Sequence, residues 1–310
     1  MVNMENSLLI ICGLHRSGTT YIGEVLRRGG AHVIHEPLNP SYGVGGVPCA
    51  YPYVGEQGGI HAALIDGVLA LNQQWGVGAS MPNASGLQRT ILALTGGRRR
   101  LLWDLMRLRS SLGLLPKNVC LKDPFLTLAI PYILASSECR VVCMIRHPAA
   151  IHVSTNRRGW SFNIENLRAQ KEFVTDIGSE IMDQMMAIST SDRAASIAVL
   201  WMAAVQLMTQ LARNDERLLF VKHEEFCVTP VSKTIEIFRH LRVPMSKKVV
   251  NYVSKTTMAD SPARPSGRTH DFNRNSRLIP DAWRTRISQE DEKILRSIAG
   301  RRVRELYGSW

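Results

Sequence analysis

The sequence predicts an α/β fold built on a central parallel sheet, and three observations carry that expectation. Short β-branched runs recur at Leu8–Cys12, Val119–Lys122, Arg140–Ile145 and Leu218–Lys222, each followed by turn residues or a helix-like pattern, the alternation that parallel strands need for their crossovers. The first run enters a glycine-bearing turn, Gly13 to Thr20, and then a helix from Tyr21 to Arg28 that ends at Gly29-Gly30. Such a turn is where a phosphate meets a helix N-terminus. Finally, the 310 residues are 45% hydrophobic and 21% charged, which supplies a substantial core and excludes a disordered chain.

The elements follow in order. Met1 to Ser7 has no early basic cluster, and Leu8–Cys12 is too short for a signal-peptide core, so export by that route is not expected. From about 40 to 59 the chain is rich in Gly, Pro and Tyr, which reads as a long loop near the carboxyl edge of the sheet. Residues 60–113 read as helical, with Arg98-Arg99-Arg100 on a solvated face. The uncharged stretch Ser196 to Ala212 falls short of the ~20 apolar residues that span a bilayer, and reads as a buried helix with Trp201, Met202, Met208 and Leu211 in the core. A second irregular segment, about 256–280, carries Arg264, Arg268, Arg274 and Arg277. Beyond it, Ser288-Gln-Glu-Asp291 resembles a capping box opening a last helix toward Leu306. No repeat divides the chain, so one domain over 1–310 is expected.

Charge and cysteine narrow the function. Lys plus Arg number 38 against 26 Asp plus Glu, a net charge of +12, which points to nucleic acid, a membrane surface or phosphorylated small molecules as partners. The six cysteines form no C-x-x-C pair and read as reduced thiols of a cytoplasmic protein. Nor does any His/Cys or carboxylate spacing argue for a metal.

Gly13 to Gly18 has the G-x-x-x-x-G spacing of a nucleotide P-loop, yet Thr19 stands where that motif requires Lys. A cation, Arg16, lies inside the loop instead, and the hydroxyls of Thr19 and Thr20 open the helix. The N–H groups from Ser17 through Gly18 to Thr20 are expected to converge on a phosphate, with Arg16 adding charge and a planar fork of donors.

Arg16-Ser17-Gly18-Thr19-Thr20 after a strand, with His35-Glu36-Pro37-Leu38 downstream, resembles the 5′-phosphosulfate loop of sulfotransferases that use 3′-phosphoadenosine 5′-phosphosulfate (PAPS), nearest to carbohydrate-type and bacterial members. A second motif agrees. Members of that family hold the 3′-phosphate with an Arg at a strand end and a Ser eight positions on; here Arg146 ends Arg140–Ile145 and Ser154 follows at that spacing. Pro148 suits the first helical turn and Ser154 lies about two turns along, so both groups can face one crevice. Lys122-Asp123-Pro124 is similar to a family segment between the two motifs. Phe220 to Phe226 resembles the strand near the adenine, with His223 in place of the usual Tyr, and Trp283-Arg284 looks like a late Trp-Arg where a basic loop, with Arg268 or Arg274, closes over the donor.

The resemblance implies a three-layer αβα fold with a P-loop-like turn, and an enzyme that moves a sulfuryl group from PAPS to a hydroxyl or amine, leaving 3′-phosphoadenosine 5′-phosphate, with no metal required. A saccharide, a glycolipid or a secondary metabolite would be the acceptor, with peripheral membrane contact as an open option. Arg16 and the loop amides would stabilise charge on the leaving oxygen. Glu36, after the second strand, is the first choice of general base, its structural alternative being to hold the loop or pair with Arg16; His15, His35, Lys122 and Asp123 are the reserves. Two other classes stay open at this stage: a P-loop kinase, disfavoured by Thr19, and a nucleic-acid-binding protein, supported by charge alone.

Overall fold

The computed structural model describes residues 7–75, 97–258 and 275–310, and of 7 and 97–99 the backbone alone. Five strands, β1 (Ser7–Gly13), β2 (His32–His35), β3 (Asn118–Lys122), β4 (Arg140–Ile145) and β5 (Leu218–Lys222), form one sheet in the order β2-β3-β1-β4-β5. Every pairing is parallel, with β1 at the centre: Ile11 stands opposite Lys122 of β3 on one side and Val142 of β4 on the other. The loops after all five strands therefore emerge at one edge, and the reversal of strand order around β1 opens a crevice there.

Helices cover both faces. They are α1 (Thr19–Arg28), α2 (Ala62–Leu69), α3 (Gly97–Ser111), α4 (Ile130–Ser136), α5 (Pro148–Asn156), α6 (Glu165–Arg168), α7 (Lys171–Asp176), α8 (Ser179–Ala187), α9 (Arg193–Asn214), α10 (His223–Val228), α11 (Pro230–His240), α12 (Lys247–Thr256) and α13 (Gln289–Tyr307). Alternate side chains of β1 point to opposite layers: Leu9 and Ile11 pack with Ile22 and Leu26 of α1, Phe238 of α11 and Val253 of α12, whereas Ile10 and Cys12 join the core that holds α9 and α13. A strand buried on both faces reads as an unbroken apolar run, which is why Leu8–Cys12 stood out.

Several expectations need adjusting. Helix α9 extends past the uncharged stretch to Arg193–Asn214 and, by length and composition, is long enough to cross a membrane, where the sequence reading had it fall short. It is nonetheless buried continuously from Ala194 to Val205, packed against α13, α5, α8 and β5. The segment 60–113 contains α2 and α3, while 76–96 lie outside the described residues. So do Arg264, Arg268 and Arg274. The last helix starts as expected, with Ser288 Oγ accepting the Asp291 N–H at 3.0 Å.

Gly13 shows how tightly β1 meets its neighbour. It adopts φ +122°, and a Cβ there would lie 2.0 Å from the carbonyl oxygen of Met144 on β4. Both the backbone conformation and the contact exclude a side chain. Gly13→Ala is expected to cost about 3 kcal/mol or more of stability, from overpacking combined with strain, seen as a lower urea midpoint; an unchanged midpoint would refute this account of the turn.

Candidate functional site

At the carboxyl end of β1 the chain turns through residues 14–18 into α1. Arg16 has φ +69° and Gly18 φ +95°, the left-handed region that folds a short loop back on itself. The turn uses one of its own donors, Ser17 N–H to Leu14 O at 3.2 Å, so the expected row of free amides begins after Ser17. Thr19 and Thr20 occupy the first turn of α1, whose N–H groups have no intrahelical acceptor. Ser17 Oγ is buried with no hydrogen-bond partner among the described residues. His223 opens α10 at the end of β5, rather than continuing the strand, and its buried ring backs the loop; a Cβ on Gly18 would sit 2.9 Å from His223 Cδ2.

Arg146, just beyond β4, donates through Nη1 to the carbonyl oxygen of Arg16 at 3.0 Å, and its own carbonyl accepts from Trp201 Nε1 of α9 at 2.8 Å. Arg16 Nε in turn donates to Ser154 Oγ of α5 at 2.9 Å. Arg16, Arg146, Ser154, Arg157, Trp283 and Arg286 line one recess of about 70 Å³. Burial lowers the Arg146 pKa from its ordinary value, and burial with neighbouring Arg158 and Arg286 does the same to Arg157. These guanidinium groups remain charged. With Arg146 Nε buried and without a hydrogen-bond partner among the described residues, and no carboxylate among the lining residues, the recess has the charge and donors to accept an anion with several oxygens.

Across β1, the Lys-Asp-Pro segment acts as a clamp on the loop after β2. The β2–β3 register pairs His35 with Lys122 and continues with Glu36 N–H to Lys122 O at 2.8 Å. That alignment brings the two side chains together: Lys122, 1% exposed, donates through Nζ to Glu36 Oε1 at 2.5 Å, while Tyr42 OH and Asn39 Nδ2 (3.1 Å) donate to Oε2. Burial alone would raise the Glu36 pKa, but the Lys122 ammonium, its hydrogen bond and that from Tyr42 hold the carboxyl well below the usual carboxylate range. Asp123 is fully buried and does not line the cavity beside Glu36. Its oxygens accept the N–H groups of Leu38 at 2.6 Å and Phe125 at 2.9 Å, and burial pushes its carboxyl up to about 7.

Glu36, Lys122, His15 and Arg16 lie along the wall of a cavity of about 490 Å³, whose other lining includes Leu14, Tyr51, Phe125, Trp160, Phe162 and Leu200. His15 is fixed in this aromatic nest: its backbone N–H donates to the Tyr51 hydroxyl at 3.2 Å, its Nδ1 meets the same oxygen, and its ring packs edge-on against Phe125. Burial lowers the His15 pKa to about 4, with Lys122 and Arg16 adding to the effect against the opposing pull of Glu36. The imidazole is therefore neutral at pH 7. Its NMR titration midpoint is expected near 4 rather than the ~6.5 of a solvated ring; a midpoint above 6 would show that the nest is open to water.

The structure thus gathers Arg16, Ser17, Gly18, Thr19, Thr20, Arg146 and Ser154 around one edge of the sheet, with Glu36 and His15 beside them and His223 behind. Arg268 and Arg274 lie outside the described residues. Arg157 and Arg286 were missed by the sequence reading, although each carried a signal: Arg157 follows Ser154 by three residues, about one helical turn, and Arg286 lies two beyond Trp283-Arg284. Trp160 reaches the cavity, whereas Trp75 and Trp103 are core. Among the described residues, no group of three or more His, Cys, Asp and Glu is placed to hold a metal ion.

A glycine turn feeding a helix at the switch point of a parallel sheet, with an arginine recess on one side and an enclosed cavity on the other, defines an α/β protein that handles a phosphorylated or sulfated ligand. The model of the sulfotransferase domain matches residues 124–306, more than half of the chain, and the protein belongs to that family: it is a transferase of the sulfotransferase type. The match includes Arg146, Ser154, Arg157 and Arg286 and leaves out the loop Gly13–Thr20 and Glu36. Solved structures to which the chain is similar include the sulfotransferase domain from the curacin biosynthetic pathway (13% identity, 96% of this chain and 97% of that one, TM-score 0.47). Others are sulfotransferase STF9 from Mycobacterium avium (13%, 99% and 78%, 0.43) and mouse sulfotransferase SULT7A1 complexed with PAP (10%, 97% and 85%, 0.39). A search of curated proteins finds no match.

Proposed function

We propose that this sulfotransferase takes its sulfuryl group from PAPS and transfers it to a hydroxyl on an amphipathic acceptor. The observation that carries the reading is that Arg16 lines both the arginine recess and the larger cavity, so a donor with two anionic ends would span them. In this reading the 3′-phosphate occupies the recess with Arg146, Ser154, Arg157 and Arg286, and the 5′-phosphosulfate meets Arg16, Ser17 Oγ and the N–H groups of Gly18, Thr19 and Thr20. The orphaned Ser17 Oγ and Arg146 Nε are the groups such an anion would satisfy.

The acceptor would lie in the cavity with its hydroxyl beside Glu36. Tyr51, Phe125, Trp160 and Phe162 offer ring faces, with Asn39, Ser41, Tyr42 and Ser161 as polar lining, a mixture that suits an amphipathic acceptor such as a glycolipid or an aromatic secondary metabolite. As the acceptor oxygen bonds to sulfur, its proton passes to the Glu36 carboxylate; the bond from sulfur to the bridging oxygen breaks, and Arg16 with the loop amides receives the charge left on the phosphate. Five of the six cysteines are buried and all are free, in keeping with a cytoplasmic enzyme.

Calorimetry tests the donor. Tight binding of 3′-phosphoadenosine 5′-phosphate without magnesium is expected, together with label transfer from PAPS to a cell-extract component; magnesium-dependent ATP binding in its place would overturn the reading in favour of a kinase.

A further inference from the structure

Helix α3 buries one face and, among the described residues, leaves the opposite face exposed. Trp103 and Met106 are fully buried, Trp103 Nε1 donates to Gln73 O at 2.9 Å, and its ring lies 5.8 Å from that of Trp75, so the helix is fixed to the body. On the outer side Leu101, Leu105, Leu108 and Leu112 are 62%, 44%, 57% and 60% exposed. At roughly 100° per residue these four fall within roughly 60° of arc, a continuous leucine stripe; Leu112 N–H still donates to Leu108 O at 3.1 Å, which prolongs the helix by that residue. Monomeric proteins seldom leave such a stripe in water.

The charges along the helix identify what covers it. The sequence Gly97–Ser111 holds five arginines and a single acid, Asp104, which is shared by Arg100 at 3.4 Å and Arg107 at 3.8 Å. By helical position Arg109 borders the leucines on one side, and Arg100 and Arg107, with Asp104 between them and the stripe, lie on the other. We propose that α3 docks this protein on an anionic lipid surface, with the leucines among the acyl chains and the arginines against phosphate headgroups. A basic border around an apolar face is the composition of an interfacial helix. Packing the same face on a second copy would set arginines against arginines with only one aspartate each, so the charge argues against a self-contact. The inference does not depend on the choice of sulfuryl donor.

The test is co-sedimentation of the full chain with phosphatidylcholine vesicles and with equimolar phosphatidylcholine–phosphatidylglycerol vesicles. Binding is expected to the anionic vesicles and to fall with added salt. Leu105→Gln/Leu108→Gln keeps every charge and good helix formers, and should bind about tenfold more weakly or worse; Arg100→Gln/Arg109→Gln should lose roughly fivefold per arginine. Both variants should keep the wild-type circular dichroism and nucleotide affinity. Equal binding to the two vesicle types, or undiminished binding of the leucine variant, overturns the proposal. So does a dimeric mass in light scattering that the leucine substitutions reduce to a monomer without any vesicle binding, which would assign the face to a second copy.

Discussion

Glu36→Gln is expected to lower kcat by about 10²- to 10⁴-fold, the usual contribution of a general base, while donor affinity stays at the wild-type level. The argument rests on position and on ionisation. Glu36 is the carboxylate in the wall of the larger cavity; Asp123 nearby is fully buried and is not part of that wall. Lys122 keeps Glu36 ionised far below neutral pH, so the base is always ready, though its proton affinity in the free enzyme is low. The sign of the pH dependence follows. In the wild type the acid limb of kcat/KM should lie below the ordinary carboxyl range, because the folded pKa is depressed. Lys122→Met removes the leading influences that lower it and leaves burial, which raises it, so that limb should move above the ~4.3 of a solvated glutamate. Because Glu36→Gln strands a buried ammonium, the double variant Glu36→Gln/Lys122→Met separates misfolding from lost chemistry. It should fold and still fail to turn over. Near-normal turnover in a folded Glu36→Gln enzyme would pass the role to His15, testable by His15→Asn.

What could be read from the sequence, and what could not, follows from how far along the chain each part is specified. The turn Gly13–Thr20 was legible because glycine placement and strand-to-helix succession are local. Arg146 and Ser154 were singled out by the family resemblance, and helical pitch added only that their spacing permits a shared direction. The pairing of Glu36 with Lys122 was not, because it joins positions 86 apart through the β2–β3 register, and register depends on strand order. Arg286 reaches the recess from the segment before α13, again a tertiary fact. The wall residues Tyr51 and Phe162 come from irregular stretches whose course no periodicity reports.

Arg146→Gln should weaken binding of 3′-phosphoadenosine 5′-phosphate by about 30- to 1,000-fold, the penalty for removing one partner of a desolvated charged pair, yet leave adenosine 5′-phosphosulfate, which lacks the 3′-phosphate, nearly unaffected. That contrast is the useful part. A loss shared by both nucleotides would mean that the substitution disturbs the phosphate loop, because Arg146 also supports Arg16 through its carbonyl oxygen. Lysine is not expected to rescue the site: an ammonium has no planar fork with which to satisfy a phosphate and the Arg16 carbonyl together. Arg286→Gln approaches the same recess from another segment and makes an independent check. If the two side chains hold one phosphate, their effects should combine by less than the product of the single losses, since the second loses a partner the first has already loosened. A fully multiplicative result would place them on different groups of the donor.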